Sequence, residues 1–212
     1  MNNDTFDFNS FLKESKEVFV NPKGYFATLK LQGGFTEPLI KAVIYGAIAG
    51  VFSLLWSVLN LAVPSGGFYS GGIGVMSFIW SVIGAVLTLF IGAVIILIIS
   101  SICKGNTDFE ANLRVSAVLL VIMPINAFLG FTLGINLIFG TIIMLGVNLL
   151  GLWLLINALI QALRAKPEIV KIVSYVLVTL LVLIMIAEMA SRRIANSYLH
   201  DFNTQNQEIF RN

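Results

Sequence analysis

Two stretches of this chain carry no Asp, Glu, Lys or Arg: Ala42 to Cys103, 62 residues, and Val115 to Leu163, 49 residues. A helix crosses the hydrocarbon core of a bilayer, about 30 Å, in about 20 residues. Each stretch is therefore long enough for two crossings and must reverse once inside. Composition agrees, because only 11% of the residues are charged, against about 25% in an ordinary soluble domain. The single cysteine, Cys103, excludes a disulfide scaffold. The chain reads as an all-α integral membrane protein.

The first stretch is predicted to reverse at Pro64-Ser-Gly-Gly-Phe-Tyr-Ser-Gly-Gly72, which is rich in helix breakers. The second is predicted to reverse around Phe131-Thr-Leu-Gly-Ile-Asn136, where Gly134 and Asn136 can close a tight connection. A fifth apolar run, Ile169 to Ala190, carries only Lys171 and Glu188 at its ends. The expected spans lie near 38–62, 73–102, 113–132, 136–163 and 169–190. They form a five-helix transmembrane bundle over residues 38–190, between an N-terminal segment, 1–37, and a polar C-terminal tail, 191–212. The opening Met-Asn-Asn-Asp-Thr-Phe-Asp lacks a basic region, so no cleavable signal is expected.

Basic residues set the expected orientation. Lys13, Lys16, Lys23, Lys30, Lys41, Lys104, Arg114, Arg164, Lys166 and Lys171 all fall on one side if the N-terminus is cytoplasmic. Arg192, Arg193 and Arg211 then fall outside. Arg192 and Arg193 sit against the rule, partly offset by Glu188 four residues before Arg192. The expectation is a cytoplasmic N-terminus and an extracytoplasmic C-terminus.

Within the N-terminal segment, Phe8, Phe11, Leu12, Ser15, Val18 and Phe19 repeat at helical spacing, with Lys13, Glu14, Lys16 and Glu17 on the other face. Asn21-Pro22 reads as a cap and first residue of a second helix carrying Tyr25, Phe26 and Leu29. Gly33-Gly34 is expected to stop that helix, and Thr36 to cap the first span with Glu37 near its positive end. This amphipathic front end suits either an interfacial anchor in the headgroup layer or a docking surface for a protein partner. Its polar face balances Lys against Glu, which gives no basis for strong anionic-lipid recognition by that face.

Residues able to carry chemistry are scarce. His200 and Cys103 are each isolated, and no two carboxylates share a predicted span, so no metal, cofactor or catalytic site is expected. The Gly-rich Ser65–Gly74 lacks the Gly-Lys-Ser/Thr ending of a phosphate loop. Lys41 and Glu188 are expected to snorkel from span ends. Neutral polar groups remain within the spans: Asn126, Asn136, Asn148, Asn157 and Gln161. Hydrogen bonds between helices are one explanation for them; a path for a small solute, lined by Asn157 and Gln161, is the other.

Packing signals are clearer. Gly46-Ala-Ile-Ala-Gly50 and Gly130-Phe-Thr-Leu-Gly134 match the small-xxx-small pattern. They point to close approach within the bundle, with a homo-oligomer as the alternative. Pro124 should kink the third span and free a carbonyl one turn earlier. Leu55-Trp-Ser-Val-Leu-Asn60 and Leu152-Trp-Leu-Leu-Ile-Asn157 share three residues, too few to establish a repeat.

The order of these features resembles a known family. Asn21-Pro-Lys-Gly-Tyr-Phe26, then Gly33-Gly-Phe-Thr-Glu-Pro-Leu39, then Arg114-Val-Ser-Ala-Val-Leu-Leu-Val-Ile-Met-Pro124 are similar to stretches of the Yip-domain (Ypt/Rab-interacting protein) family. The resemblance implies a five-helix membrane domain with a cytoplasmic N-terminus. Eukaryotic relatives are linked to Rab-type GTPases and vesicle-mediated transport between endoplasmic reticulum and Golgi. This chain has neither a long acidic cytoplasmic domain nor an Asp-Leu-Tyr-Gly-Pro motif, which points to a bacterial-type member in the plasma membrane. The family offers no catalytic residue to carry over. The expected function is non-enzymatic: membrane organisation or partner recruitment, with a small-solute permease or channel-like accessory subunit as the alternative. The expected partners are the lipid bilayer and a protein at the N-terminal segment, with no nucleic acid.

Overall fold

A computed structural model describes residues 7–59, 61 and 75–209, with side chains described as far as residue 191 except 189. The described residues are helical and contain no strand. Two short helices come first, α1 (Phe8–Val20) and α2 (Pro22–Thr28), followed by α3 (Thr36–Val58) and α4 (Val75–Ile102). Next come α5 (Phe109–Leu119), α6 (Ile122–Leu129), α7 (Phe131–Ile135) and α8 (Leu137–Asn157). A five-residue π turn (Ala158–Ala162) extends α8, and α9 (Pro167–Ile209) ends the described chain. Five segments are long and apolar enough to cross a membrane: Thr36–Val58, Val75–Ile102, Phe109–Ile135, Leu137–Ala162 and Pro167–Glu188. The Pro64–Gly72 reversal lies outside the described residues.

The third crossing is the broken one, and Pro124 supplies the reason. Proline has no N–H to give to Leu120, four residues back. The Leu120 carbonyl instead accepts from Met123 N–H at 2.9 Å, while Val121 N–H closes on Val118 at 3.1 Å. The freed carbonyl is thus satisfied by a tighter turn, and α5 and α6 part there. The reversal into α8 takes one residue. Asn136, in extended backbone (φ −152°, ψ 122°), accepts from the N–H groups of Ile138 and Phe139 at 3.0 Å each. Such a tight return brings α8 against α7, and Gly140 permits it: a Cβ there would lie 2.5 Å from Leu133 N. Gly140 was not singled out by sequence pattern.

Among the glycines that were, Gly46 and Gly50 face α4. An added Cβ at Gly46 would lie 2.7 Å from Ala85 Cβ and 3.0 Å from Val82 Cα, and one at Gly50 2.7 Å from Phe78. The buried Ser81 hydroxyl donates across this seam to the Gly46 carbonyl at 3.0 Å. Gly134 backs onto the Leu61 carbonyl, 2.5 Å from its notional Cβ. Gly130 meets only the carbonyls of Ala127 and Asn126 in its own bend.

Burial follows a membrane pattern. Small and polar residues such as Ser77, Ser81, Ser116 and Ala85 lie between helices, whereas Ile91, Ile98, Ile142, Leu183 and Ile186 face outward. Lipid covers such an outer surface as well as another helix would, so packing between helices falls to small side chains and hydrogen bonds. Two expected end signals are corrected. The N-cap of α3 is Phe35, with Thr36 already helical and no side-chain cap. Helix α2 ends at Thr28, ahead of Gly33 and Gly34, which lie in the connection with φ +133° and +84°. Helix α9, 43 residues long, runs without interruption through the sequence read as a polar tail.

Replacing Gly46 by Ala is expected to destabilise the detergent-solubilised protein by about 1–3 kcal/mol, because α4 backbone blocks the new methyl. Gly146→Ala, where nothing lies within 4 Å, should be neutral or stabilising by up to about 1 kcal/mol. Thermal unfolding of the two variants side by side checks this; equal stability would remove the close-approach reading of Gly46.

Candidate functional site at the N-terminal end of the bundle

Helix α1 starts where Asp7 accepts from Asn9 N–H at 3.0 Å and Ser10 N–H at 3.3 Å. The Ser10 hydroxyl and these backbone donors hold the Asp7 carboxyl below its usual range. The helix then lies on the bundle through Phe11, Ser15 and Val18. Phe11 and Val18 are buried, the Phe11 ring sits 5.0 Å from that of Tyr45, and the Ser15 and Tyr45 hydroxyls are 2.8 Å apart.

The predicted apolar face is therefore rotated. Phe8 and Leu12 lie on its exposed flank, 53% and 50% accessible, and Phe19 is half-buried. Glu14, assigned from spacing to the polar face, instead turns inward. Its carboxylate accepts from Lys41 Nζ at 2.8 Å and from the Tyr25 hydroxyl at 3.4 Å. The interior attracts it because a buried cation is there to be neutralised. Tyr25 and Phe26, on α2, are buried. Burial, reinforced by Glu14, raises the Tyr25 phenol above its ordinary pKa.

Lys41 does not snorkel. It is 5% exposed, held by Glu14 at 2.8 Å and Glu37 at 2.7 Å. Arg114, counted from sequence among the basic residues of the cytoplasmic side, is equally buried at 5%. It meets the second oxygen of Glu37 at 2.9 Å and Glu110 at 3.4 Å. It also donates to the carbonyls of Gly34 at 3.1 Å and Lys30 at 3.3 Å. Glu110 in turn accepts from Gly34 N–H at 2.6 Å.

Two cations and three carboxylates thus join α1, α3, α5 and the connection between α2 and α3. Sequence pattern alone missed this cluster. Its trace was present as two i,i+4 pairs, Glu37 with Lys41 and Glu110 with Arg114, each near the start of a span.

A cavity of about 450 Å³ opens alongside α2. The side of α2 and its following residues forms one wall, with Phe26, Leu29 and Leu31; Lys104, Asn106, Gln161 and Arg164 lie on the other. The two connections that carry these polar residues are stitched together. Asn106 N–H donates to Leu163 O at 2.7 Å, and Lys166 N–H to Cys103 O at 2.9 Å.

The intramembrane amides are dispersed. Asn148 and Asn157 donate to carbonyls of their own helix, Met144 at 2.9 Å and Trp153 at 2.8 Å. Asn136 caps α8, Gln161 lines the cavity, and Asn126 Oδ1 is buried without a hydrogen-bond partner among the described residues. Pro124 marks the α5–α6 break. Among the described residues no three of His, Cys, Asp or Glu are grouped to hold a metal.

Glu37→Ala removes the carboxylate shared by both cations. It is expected to cost about 2–3 kcal/mol, less than the ~3–5 of a fully buried pair, because Glu37 itself is 42% exposed. Combined with Lys41→Met, the loss should be markedly less than additive in thermal unfolding; strict additivity would deny the coupling.

The profile of the family described as Yip1 domain matches residues 16–187. No curated protein and no solved structure matches the chain. The matched region begins inside α1, just after Glu14, and takes in the other four members of the ion cluster, Glu37, Lys41, Glu110 and Arg114, together with the crossings as far as residue 187.

Proposed function

Because the chain belongs to the Yip1 domain family, we propose that this multi-pass membrane protein acts without catalysis, in membrane organisation or partner recruitment, presenting α1 and α2 as a fixed surface. The observation that carries the reading is the tie between α1 and the first crossing: Glu14 to Lys41 at 2.8 Å and Ser15 to Tyr45 at 2.8 Å. A recruitment surface held in one orientation loses less freedom on binding than a loose tail does. Outward from that tie, Phe8 and Leu12 remain exposed next to Lys13 and Lys16. A small apolar patch with a charged rim is suited to a protein partner.

The proposed orientation places this end of the bundle in the cytoplasm. What supports it is the basic residues gathered there: Lys104 and Arg164 border the same cavity as α2, and Lys166 lies next to them. A bacterial-type member in the plasma membrane is the setting we assign, on the family resemblance of the N-terminal motifs and the Arg114–Pro124 stretch.

A photo-crosslinker at Leu12 in the full chain is expected to capture a protein partner in native membranes. Phe8→Asp should reduce that capture at least tenfold, while Thr107→Asp, on a connection away from α1, leaves it unchanged. An unaltered crosslink pattern with Phe8→Asp would overturn recruitment through this face.

A further inference from the structure

Lys104 and Arg164 are the only non-glycine residues with positive φ among the described residues, at 57° and 54°. That conformation costs an ordinary side chain about 1–2 kcal/mol and is normally left to glycine. Each follows the end of a membrane-crossing segment. At the end of α4, Lys104 N–H donates to Ser101 O at 3.1 Å and Gly105 N–H to Ser100 O at 2.8 Å. This is the pattern of a helix stop in which glycine is preferred at position 104. At the end of the π turn, Leu163 N–H donates to Ala158 O at 3.0 Å and Ala165 N–H to Leu159 O at 2.9 Å, enclosing Arg164. The chain thus twice places a cation where glycine would fit at lower cost, and both cations border the same cavity.

The stop geometry does not account for the choice of cation. A Lys or Arg can favour a helix C-terminus by bonding its last carbonyls. Here the carbonyls of Ser100, Ser101, Cys103, Ala158, Leu159 and Leu163 are already taken by backbone N–H groups. Neither the Lys104 nor the Arg164 side chain has an ion-pair partner among the described residues, in contrast to the paired Lys41 and Arg114. The two backbone bonds between the connections hold the main chains that carry the cations side by side. Asn106 is braced as well, its carbonyl accepting from the Ser100 hydroxyl at 2.8 Å and the Asn112 amide at 3.1 Å. Polar Asn106 and Gln161 line the space between, and Phe26, Leu29 and Leu31 supply an apolar side.

From this arrangement we propose that the cavity binds a phosphate group between Lys104 and Arg164, either on a phospholipid head group or on a soluble phosphate ester. An Arg guanidinium and a Lys ammonium recognise phosphate oxygens by charge-assisted hydrogen bonds, Arg through its planar fork and Lys as a point charge. The cavity lies where two crossing segments end, the depth at which head groups sit. Its apolar wall is positioned to meet the glycerol and first carbons of a lipid. The proposal stands independently of partner recruitment by α1.

The test uses the full chain in detergent, titrated separately with phosphatidylglycerol, phosphatidylcholine and glycerol 3-phosphate, and read by native mass spectrometry. Wild type should bind phosphatidylglycerol or glycerol 3-phosphate at least tenfold more tightly than phosphatidylcholine, whose phosphate is already neutralised by its own choline cation. Preference for the lipid alone assigns the ligand to the membrane; effective competition by glycerol 3-phosphate assigns it to a soluble ester. The double variant Lys104→Gly/Arg164→Gly suits the left-handed backbone, so its melting temperature should be equal to or above that of wild type. Its binding should nonetheless fall about fivefold for each cation removed. Lys166→Gln, beside the cavity but not lining it, should leave binding within twofold. Undiminished binding by the double glycine variant, or no preference for either net-anionic probe over zwitterionic phosphatidylcholine, would overturn the proposal.

Discussion

One carboxylate organises the N-terminal end of this bundle. Glu37 gives one oxygen to Lys41 and the other to Arg114, and both cations are almost wholly removed from solvent. A buried cation without a partner is among the costliest features a fold can carry. Lys41 therefore requires Glu14, which fixes α1. Arg114 requires Glu110 and the carbonyls of Lys30 and Gly34, which fixes the connection that follows α2. With α1 and that connection in place, Tyr25 and Phe26 of α2 are enclosed, and Phe26 forms part of the cavity wall.

The crossings themselves are held by a different physics. Between helices surrounded by lipid, apolar burial gives little preference for one arrangement over another. Close contact at Gly46 and Gly50, the Ser81 bond to Gly46, and the Ser116 bond to the Leu89 carbonyl at 2.9 Å provide the specificity instead. Helix α9 packs along α8 and exposes Ile172, Tyr175, Val176 and Leu180 on its other sides. The bundle thus joins a closely packed α3–α4–α5 unit to a more peripheral final helix.

Charge-free length made four of the five crossings legible in the sequence, an apolar run with charges only near its ends made the fifth so, and glycine spacing made the α3–α4 seam legible. All three depend on local composition or periodicity. The rotation of α1 was not legible, because Phe8, Phe11, Leu12, Val18 and Phe19 allow more than one helical face to be apolar. The choice among them is made by Lys41, 27 residues from Glu14. Arg114 was hidden for the same reason: its partner Glu37 lies 77 residues away, and only the local Glu110 hinted at burial. Gly140 escaped notice because its need arises from the one-residue reversal at Asn136, not from any repeat. The cavity brings together Lys104 and Arg164 from connections that no spacing rule links.

The central claim is that α1 is a fixed part of the membrane domain, locked by the Glu14 carboxylate on buried Lys41. Spin labels at Lys16→Cys and Thr107→Cys, in a Cys103→Ala background reconstituted in nanodiscs, measure this directly by double electron–electron resonance. Both labelled positions are exposed. A single narrow distance distribution that broadens on Glu14→Gln is the expected result. A broad distribution with Glu14 intact, or one that Glu14→Gln leaves unchanged, would contradict the account.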